Sequence, residues 1–140
     1  MDPRGIANCN PGNIRQSPTR WLGMCPDQKD PDFIQFTAPV FGIRALMRVV
    51  LNYYRLHGLK TIGAIIDRWA PPAENNTAAY ISDIAARLDI DPADPLDVTK
   101  PENLIEIARG IIHHENGKNP AGGDWFAEGI YERAANLALQ

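Results

Sequence analysis

Apolar positions recur at helical spacing in five stretches of the chain. Over 42–57, Ile43, Leu46, Met47, Val50, Leu51 and Tyr54 fall on one side of a helix. His57-Gly58 closes it, glycine suiting the left-handed turn beyond a helix end. Thr61 is placed to cap a shorter helix carrying Ile62, Ile65, Ile66 and Trp69, which Pro71-Pro72 stops. A third helix is predicted over 77–88, with Tyr80, Ile81, Ile84, Ala85 and Leu88 on one side. Thr99-Lys100-Pro101-Glu102 has the form of a capping box with proline in the first turn, and opens a helix over 100–115. A last helix over 124–138 carries Trp125, Phe126, Ile130, Ala134 and Leu137. The pattern is that of a mainly α fold.

Residues 1–41 read differently. Asn10-Pro11-Gly12-Asn13, Ser17-Pro18 and Cys25-Pro26-Asp27 are turn signals. Between them, Trp21-Leu22-Gly23-Met24 and Phe33-Ile34-Gln35-Phe36 are predicted to pair as a small β-hairpin. The whole is then a mainly α (α+β) chain, and its 140 residues suit one domain.

Charge narrows the partners. Fourteen basic against seventeen acidic residues give a net charge of −3, which argues against a general nucleic-acid binder. No apolar run is long enough for a membrane span. The N-terminus Met1-Asp2-Pro3-Arg4-Gly5 lacks an apolar signal core, so synthesis in the cytoplasm without a signal peptide is expected. Cys9 and Cys25 form neither a CxxC nor a zinc spacing; free thiols are expected, with a disulfide formed after release into an oxidising compartment as the alternative. His113 and His114 diverge by about 100° on a helix and HExxH is absent, so no metal site is expected.

One residue breaks the helical pattern. Leu104, Ala108 and Ile111 share a narrow stripe of the 100–115 helix, and the next residue on it is Glu115. A carboxylate ending a core stripe is uncommon, because burying its charge is costly. Either Glu115 reaches solvent or an arginine at a fraying end, or it is a carboxyl group at the mouth of a cleft, placed as the acid of glycosidases is placed.

The surrounding residues favour the second reading. Ile111-Ile112-His113-His114-Glu115-Asn116-Gly117-Lys118-Asn119-Pro120 resembles the Glu motif of lytic transglycosylases, with Asn116 at the usual serine. Asp67-Arg68-Trp69-Ala70-Pro71-Pro72 falls where that superfamily has Tyr-Asn-Ala-Gly. Glu74-Asn75-Asn76-Thr77-Ala78-Ala79-Tyr80-Ile81 is similar to its Glu-Thr-x-x-Tyr-Val element. In the usual order the Glu motif comes first; here it comes last. The chain therefore resembles a circularly permuted lytic transglycosylase, like the endolysin of enveloped double-stranded RNA phages and its prophage relatives. Arg4-Gly5-Ile6-Ala7-Asn8-Cys9-Asn10-Pro11-Gly12-Asn13-Ile14-Arg15 resembles the opening of those relatives, with Cys9 in place of asparagine. The resemblance covers roughly residues 4–120.

It implies a lysozyme-like helical domain that cleaves the MurNAc–GlcNAc bond of peptidoglycan. Glu115 would act as acid and then base. Tyr80 would bond Glu115 or the substrate. Gln35 would match the glutamine of the family's Gly-Leu-Met-Gln hairpin. Trp69 would wall the cleft, and Asn13 and Asn75 would bind sugar N-acetyl or hydroxyl groups. Glu74, Asp67 and Asp83 are the candidates for a second carboxylate, and Trp21 and Trp125 are expected in the core. The implied partner is the glycan strand, met by a monomer that needs no cofactor. The enzyme would act in the periplasm after holin-dependent release or virion-borne delivery. Two alternatives stay open: a hydrolytic muramidase, and a non-catalytic virion structural or glycan-binding protein.

Overall fold

The computed structural model describes residues 2–140 and is mainly helical. Six helices follow in order: α1 (Arg4–Ala7), α2 (Pro39–Arg55), α3 (Ile62–Trp69), α4 (Thr77–Leu88), α5 (Pro101–Asn116) and α6 (Glu128–Leu139). Proline in the first turn starts both α2 and α5, where its missing N–H costs nothing. Thr61 and Asn76 cap α3 and α4 by accepting from the N–H groups of Ala64 and Ala79.

The core lies between α2 and its neighbours. Ile43, Leu46, Met47, Val50 and Leu51 of α2 are fully buried, as are Leu104, Ile107 and Ile111 of α5. Each such side chain contributes about 1.5–3 kcal/mol of burial. The inner face of α6 is Tyr131, Ala134, Ala135 and Ala138, and the three alanines are small enough for α6 to lie close against α2. Arg48 locks that pair by donating to the carbonyl of Ala138 (2.9 Å). On the other side, α4 packs on both α3 and α5.

Three local expectations are corrected. The capping box before α5 does not form: the Thr99 hydroxyl and N–H both donate to Asp97 (2.5 and 2.9 Å), and Lys100 is the cap residue without a side-chain bond. The last helix starts at Glu128 rather than 124, because Asp124 turns its carboxylate onto the Phe126 N–H and the Tyr131 hydroxyl. The N-terminal hairpin is reduced to isolated antiparallel bridges, Met24 with Phe36 and Arg15 with Phe33. The 33–37 segment is shared among several partners: Ile34 donates to Ile14, Phe36 to Asn8 and Thr37 to Gly23, so no single ladder extends.

This N-terminal region has its own small core of Ile34, Phe36 and Ala45, with Ile14, Trp21, Met24 and Phe41 packed around it. Trp21 and Trp125 are only partly buried, each at the margin of a core rather than within it. Gly42 lets α2 abut this region: a Cβ there would stand 1.8 Å from the Cys9 carbonyl oxygen. Both cysteines are free and half-buried, and burial, followed by the charge of Cys25, pushes the Cys9 thiol up. Among the described residues, no helix is long and apolar enough to cross a membrane.

Candidate active site

Glu115 stands in the last turn of α5, half-buried, where the apolar stripe of that helix meets an open cleft. The cleft measures about 440 Å³. One wall is Gly12, Asn13, Ile14 and Arg15, another is Trp69, Ala70, Glu74 and Asn75, and α2 supplies Val49 and Tyr53. Three segments far apart in sequence thus converge on one carboxylate.

Two side chains hold that carboxylate. The Tyr80 hydroxyl donates to Oε2 (3.1 Å) and the Asn13 amide donates to Oε1 (3.3 Å). Tyr80 is itself held: the Trp69 indole N–H donates to its hydroxyl (3.1 Å), and its ring stacks on His114 with centroids 4.2 Å apart. His114 is anchored in turn by Asp83 (2.7 Å). Burial, and then the negative charge of Glu115, pushes the Tyr80 hydroxyl far above the usual phenol range. Tyr80 therefore stays protonated and acts as a donor. No arginine or lysine pairs with Glu115 among the described residues, so the ion-pair reading of this residue fails.

The loop that carries Asn13 is rigidly built. Asn10 is fully buried; its amide donates to the carbonyls of Ile14 (2.9 Å) and Ile34 (2.8 Å) and accepts the Ile14 N–H. Asn13 then takes a left-handed conformation, φ 51°, which asparagine tolerates better than most residues. Asn116, beside the acid, donates to the Pro11 carbonyl (2.7 Å) and so fastens this loop to the end of α5. Gly5 of α1 lies against the same junction, since a Cβ there would come within 2.7 Å of the Asn13 and Asn116 side chains.

Of the residues singled out from sequence, Glu115, Tyr80, Trp69 and Asn13 form one hydrogen-bonded group. Asn75 lines the same cleft and donates to the Pro71 carbonyl. Gln35 is a correction: it lies outside the cleft. Its amide is taken by Asn8 and the Lys29 N–H, so it ties the 25–29 loop to the N-terminal segment. Its neighbours Ile34 and Phe36 face the small core, which turns Gln35 to the other side. Among the three second carboxylates considered, Glu74 lines the cleft, Asp83 serves His114, and Asp67 is exposed away from it. The sequence pattern does not single out Asn10, Asn116, Arg15 or Tyr53. The Asn-Pro-Gly-Asn turn is the available signal for Asn10, and Asn116 stands out only as a departure from the motif's serine. Among the described residues, no three His, Cys, Asp or Glu side chains converge as metal ligands would.

No family model matches the chain. Over 130 residues it is 38% identical to a protein named Protein P5 from Pseudoalteromonas phage PM2. The match spans 91% of this chain and 79% of that protein.

Proposed function

This chain belongs to the family of Protein P5 of Pseudoalteromonas phage PM2, and from that premise we propose that it is a phage or prophage lysin, a circularly permuted lytic transglycosylase of lysozyme-like fold. The observation that carries the proposal is the carboxylate of Glu115, free of any ion pair among the described residues and held by Tyr80 and Asn13 on the wall of a cleft of about 440 Å³. A glycan strand lies along the cleft. Glu115 in its protonated form donates to the glycosidic oxygen as the bond to the muramyl C1 breaks. The resulting carboxylate takes the proton of the muramyl 6-hydroxyl, whose oxygen closes on C1. The product is a 1,6-anhydro sugar, and Glu115 ends protonated for the next turn.

General acid–base work of this kind needs the group within hydrogen-bond reach of both oxygens and fixed in orientation. Tyr80 and Asn13 each occupy one carboxylate oxygen, which leaves further lone pairs toward the cleft. Trp69 contributes an apolar wall beside the acid. Because a lytic transglycosylase uses the substrate's own hydroxyl, one carboxyl group suffices.

Glu74, which also lines the cleft, supports the second reading, a muramidase that activates water with a second carboxylate. The test of the shared claim is Glu115→Gln. Lysis of peptidoglycan should fall by about 10²–10⁴-fold, the usual scale for one acid–base group. The melting temperature should hold or rise, since glutamine can still accept from Tyr80. Full lysis with a lowered melting temperature would make Glu115 a structural residue.

A further inference from the structure

A second cavity lies behind the acid, on the far face of the same helix end. Its volume is about 320 Å³, at the lower end of ligand-site volumes, and it shares no lining residue with the Glu115 cleft. Besides Arg109, three basic side chains line it: Arg87 from the last turn of α4, His113 from α5, and Lys118 from the loop that follows. None of the three takes part in an ion pair or a side-chain hydrogen bond among the described residues. In a chain of net charge −3, such a concentration of uncommitted basic side chains in one hollow is notable for its placement.

The acidic residue of the cavity is already committed. Asp124 accepts from Arg109 (2.5 Å), from the Tyr131 hydroxyl (2.7 Å) and from the Phe126 N–H (3.1 Å). Burial works against the charge on Arg109, but its bonds to Glu128 and Asp124 and the nearby Glu106 charge more than offset it, so this ion network is closed on itself. What remains open to a ligand is a cationic mouth, with Ile112 and the Trp125 ring as apolar walls. The Trp125 ring is fixed, because its indole N–H donates to the Gly117 carbonyl (2.9 Å). A planar guanidinium and an ammonium over apolar walls suit a carboxylate carried on a small organic group better than a bare inorganic anion.

We propose that this pocket binds a carboxylate of a short peptide, the stem peptide that branches from the glycan held in the Glu115 cleft. The assignment of the peptide rests on the peptidoglycan reading above. The geometry supports the connection. His113 and Glu115 project about 200° apart, so the two cavities flank one helix of about 10–12 Å diameter. A stem of about three to four extended residues, at about 3.3–3.6 Å each, spans that distance. Gly117 at the helix end borders open space, since an added Cβ there would meet nothing within 4 Å. The pocket would then select peptide-bearing strands and set which muramyl residue meets the acid.

The test is direct binding, read from the Trp125 indole N–H signal by NMR, with three probes: the free peptide L-Ala-D-Glu-meso-diaminopimelate, a chitooligosaccharide and inorganic phosphate. The peptide should shift the Trp125 signal, and the Arg87→Gln/Lys118→Gln double variant should weaken its binding at least tenfold. The sugar should shift signals of the Glu115 cleft equally in both proteins. Both replaced side chains are exposed, and an unchanged melting temperature would exclude misfolding. No shift with peptide, a shift indifferent to the double variant, or phosphate binding as tightly as peptide would each overturn the proposal. Peptide binding in a protein that leaves sacculi intact would sink the lytic reading and keep the pocket.

Discussion

Tyr80→Phe isolates one hydroxyl in a defined setting. The ring is 4% exposed, and its stack on His114 survives in phenylalanine. What is lost is the donor to Glu115 and the acceptor for Trp69, each at 3.1 Å. A hydrogen bond to a charged group is worth about 1.5–3 kcal/mol and a neutral one about 0.5–1.5 kcal/mol. Glu115 and Trp69 both border the open cleft, where water replaces part of the loss. The low end of each range then applies, and the sum is about 2 kcal/mol. At about 4 °C per kcal/mol for a chain of this size, the melting temperature should drop by about 8 °C. The catalytic effect is separable. A carboxylate freed from Tyr80 loses its fixed orientation, and each 1.36 kcal/mol of lost transition-state stabilisation costs about tenfold in rate. Lysis of purified sacculi should therefore slow at least tenfold below the melting transition. A double-mutant cycle with Glu115→Ala, which removes the acceptor, should show a coupling of about 1 kcal/mol or more in stability. If lysis and melting temperature are both unchanged, and the cycle is additive, the Trp69–Tyr80–Glu115 chain does not exist in solution.

Asn13→Gly keeps the left-handed backbone at φ 51° while removing the donor to Glu115; the melting temperature should move by only a few degrees while lysis falls about tenfold, as for other groups that orient an acid. Gly42→Ala forces a Cβ into the Cys9 carbonyl, where neither backbone can yield, and should cost about 3 kcal/mol or more by denaturant titration. The Arg4 guanidinium, joined by the Asn8 amide, holds the Asp30 carboxyl well below the usual carboxylate range. A depressed carboxyl pKa gives stability that is fully present above about pH 4 and is lost as pH falls through the folded value. Melting temperatures from pH 6 down to pH 2 should therefore fall more steeply for the wild type than for Asp30→Asn, which starts lower at pH 6.

The helices were legible because their signal is local. The spacing of Ile43, Leu46, Met47, Val50 and Leu51 specifies α2, and Thr61 and Asn76 cap where side-chain chemistry directs. Glu115 was legible for the same reason: a carboxylate on an otherwise apolar stripe contradicts the pattern around it. The N-terminal third was not. Its shape depends on Asn10 bonding Ile34, on Asp30 bonding Arg4, and on Gly42 admitting Cys9, all contacts between distant residues. A motif of three or four residues around Gln35 suggested a ligand role, but Asn8 and Lys29 claim its amide. Asn13 reached the acid through a left-handed turn that spacing alone does not reveal. Thr99 had the form of a cap, yet Asp97, two residues away, offered a stronger acceptor for its hydroxyl.

We propose that Glu115 alone moves the proton both ways across a muramyl–glucosaminyl bond. Mass spectrometry of purified sacculi digested in parallel by the wild-type protein and by Glu115→Gln tests it most directly. The wild type should yield 1,6-anhydro muropeptides, lighter by one water than hydrolysed ones, and the variant should lose about 10²–10⁴-fold of that yield. Hydrolysed products would transfer the second step to water and Glu74. Anhydro products from Glu115→Gln at the wild-type rate would contradict the claim outright.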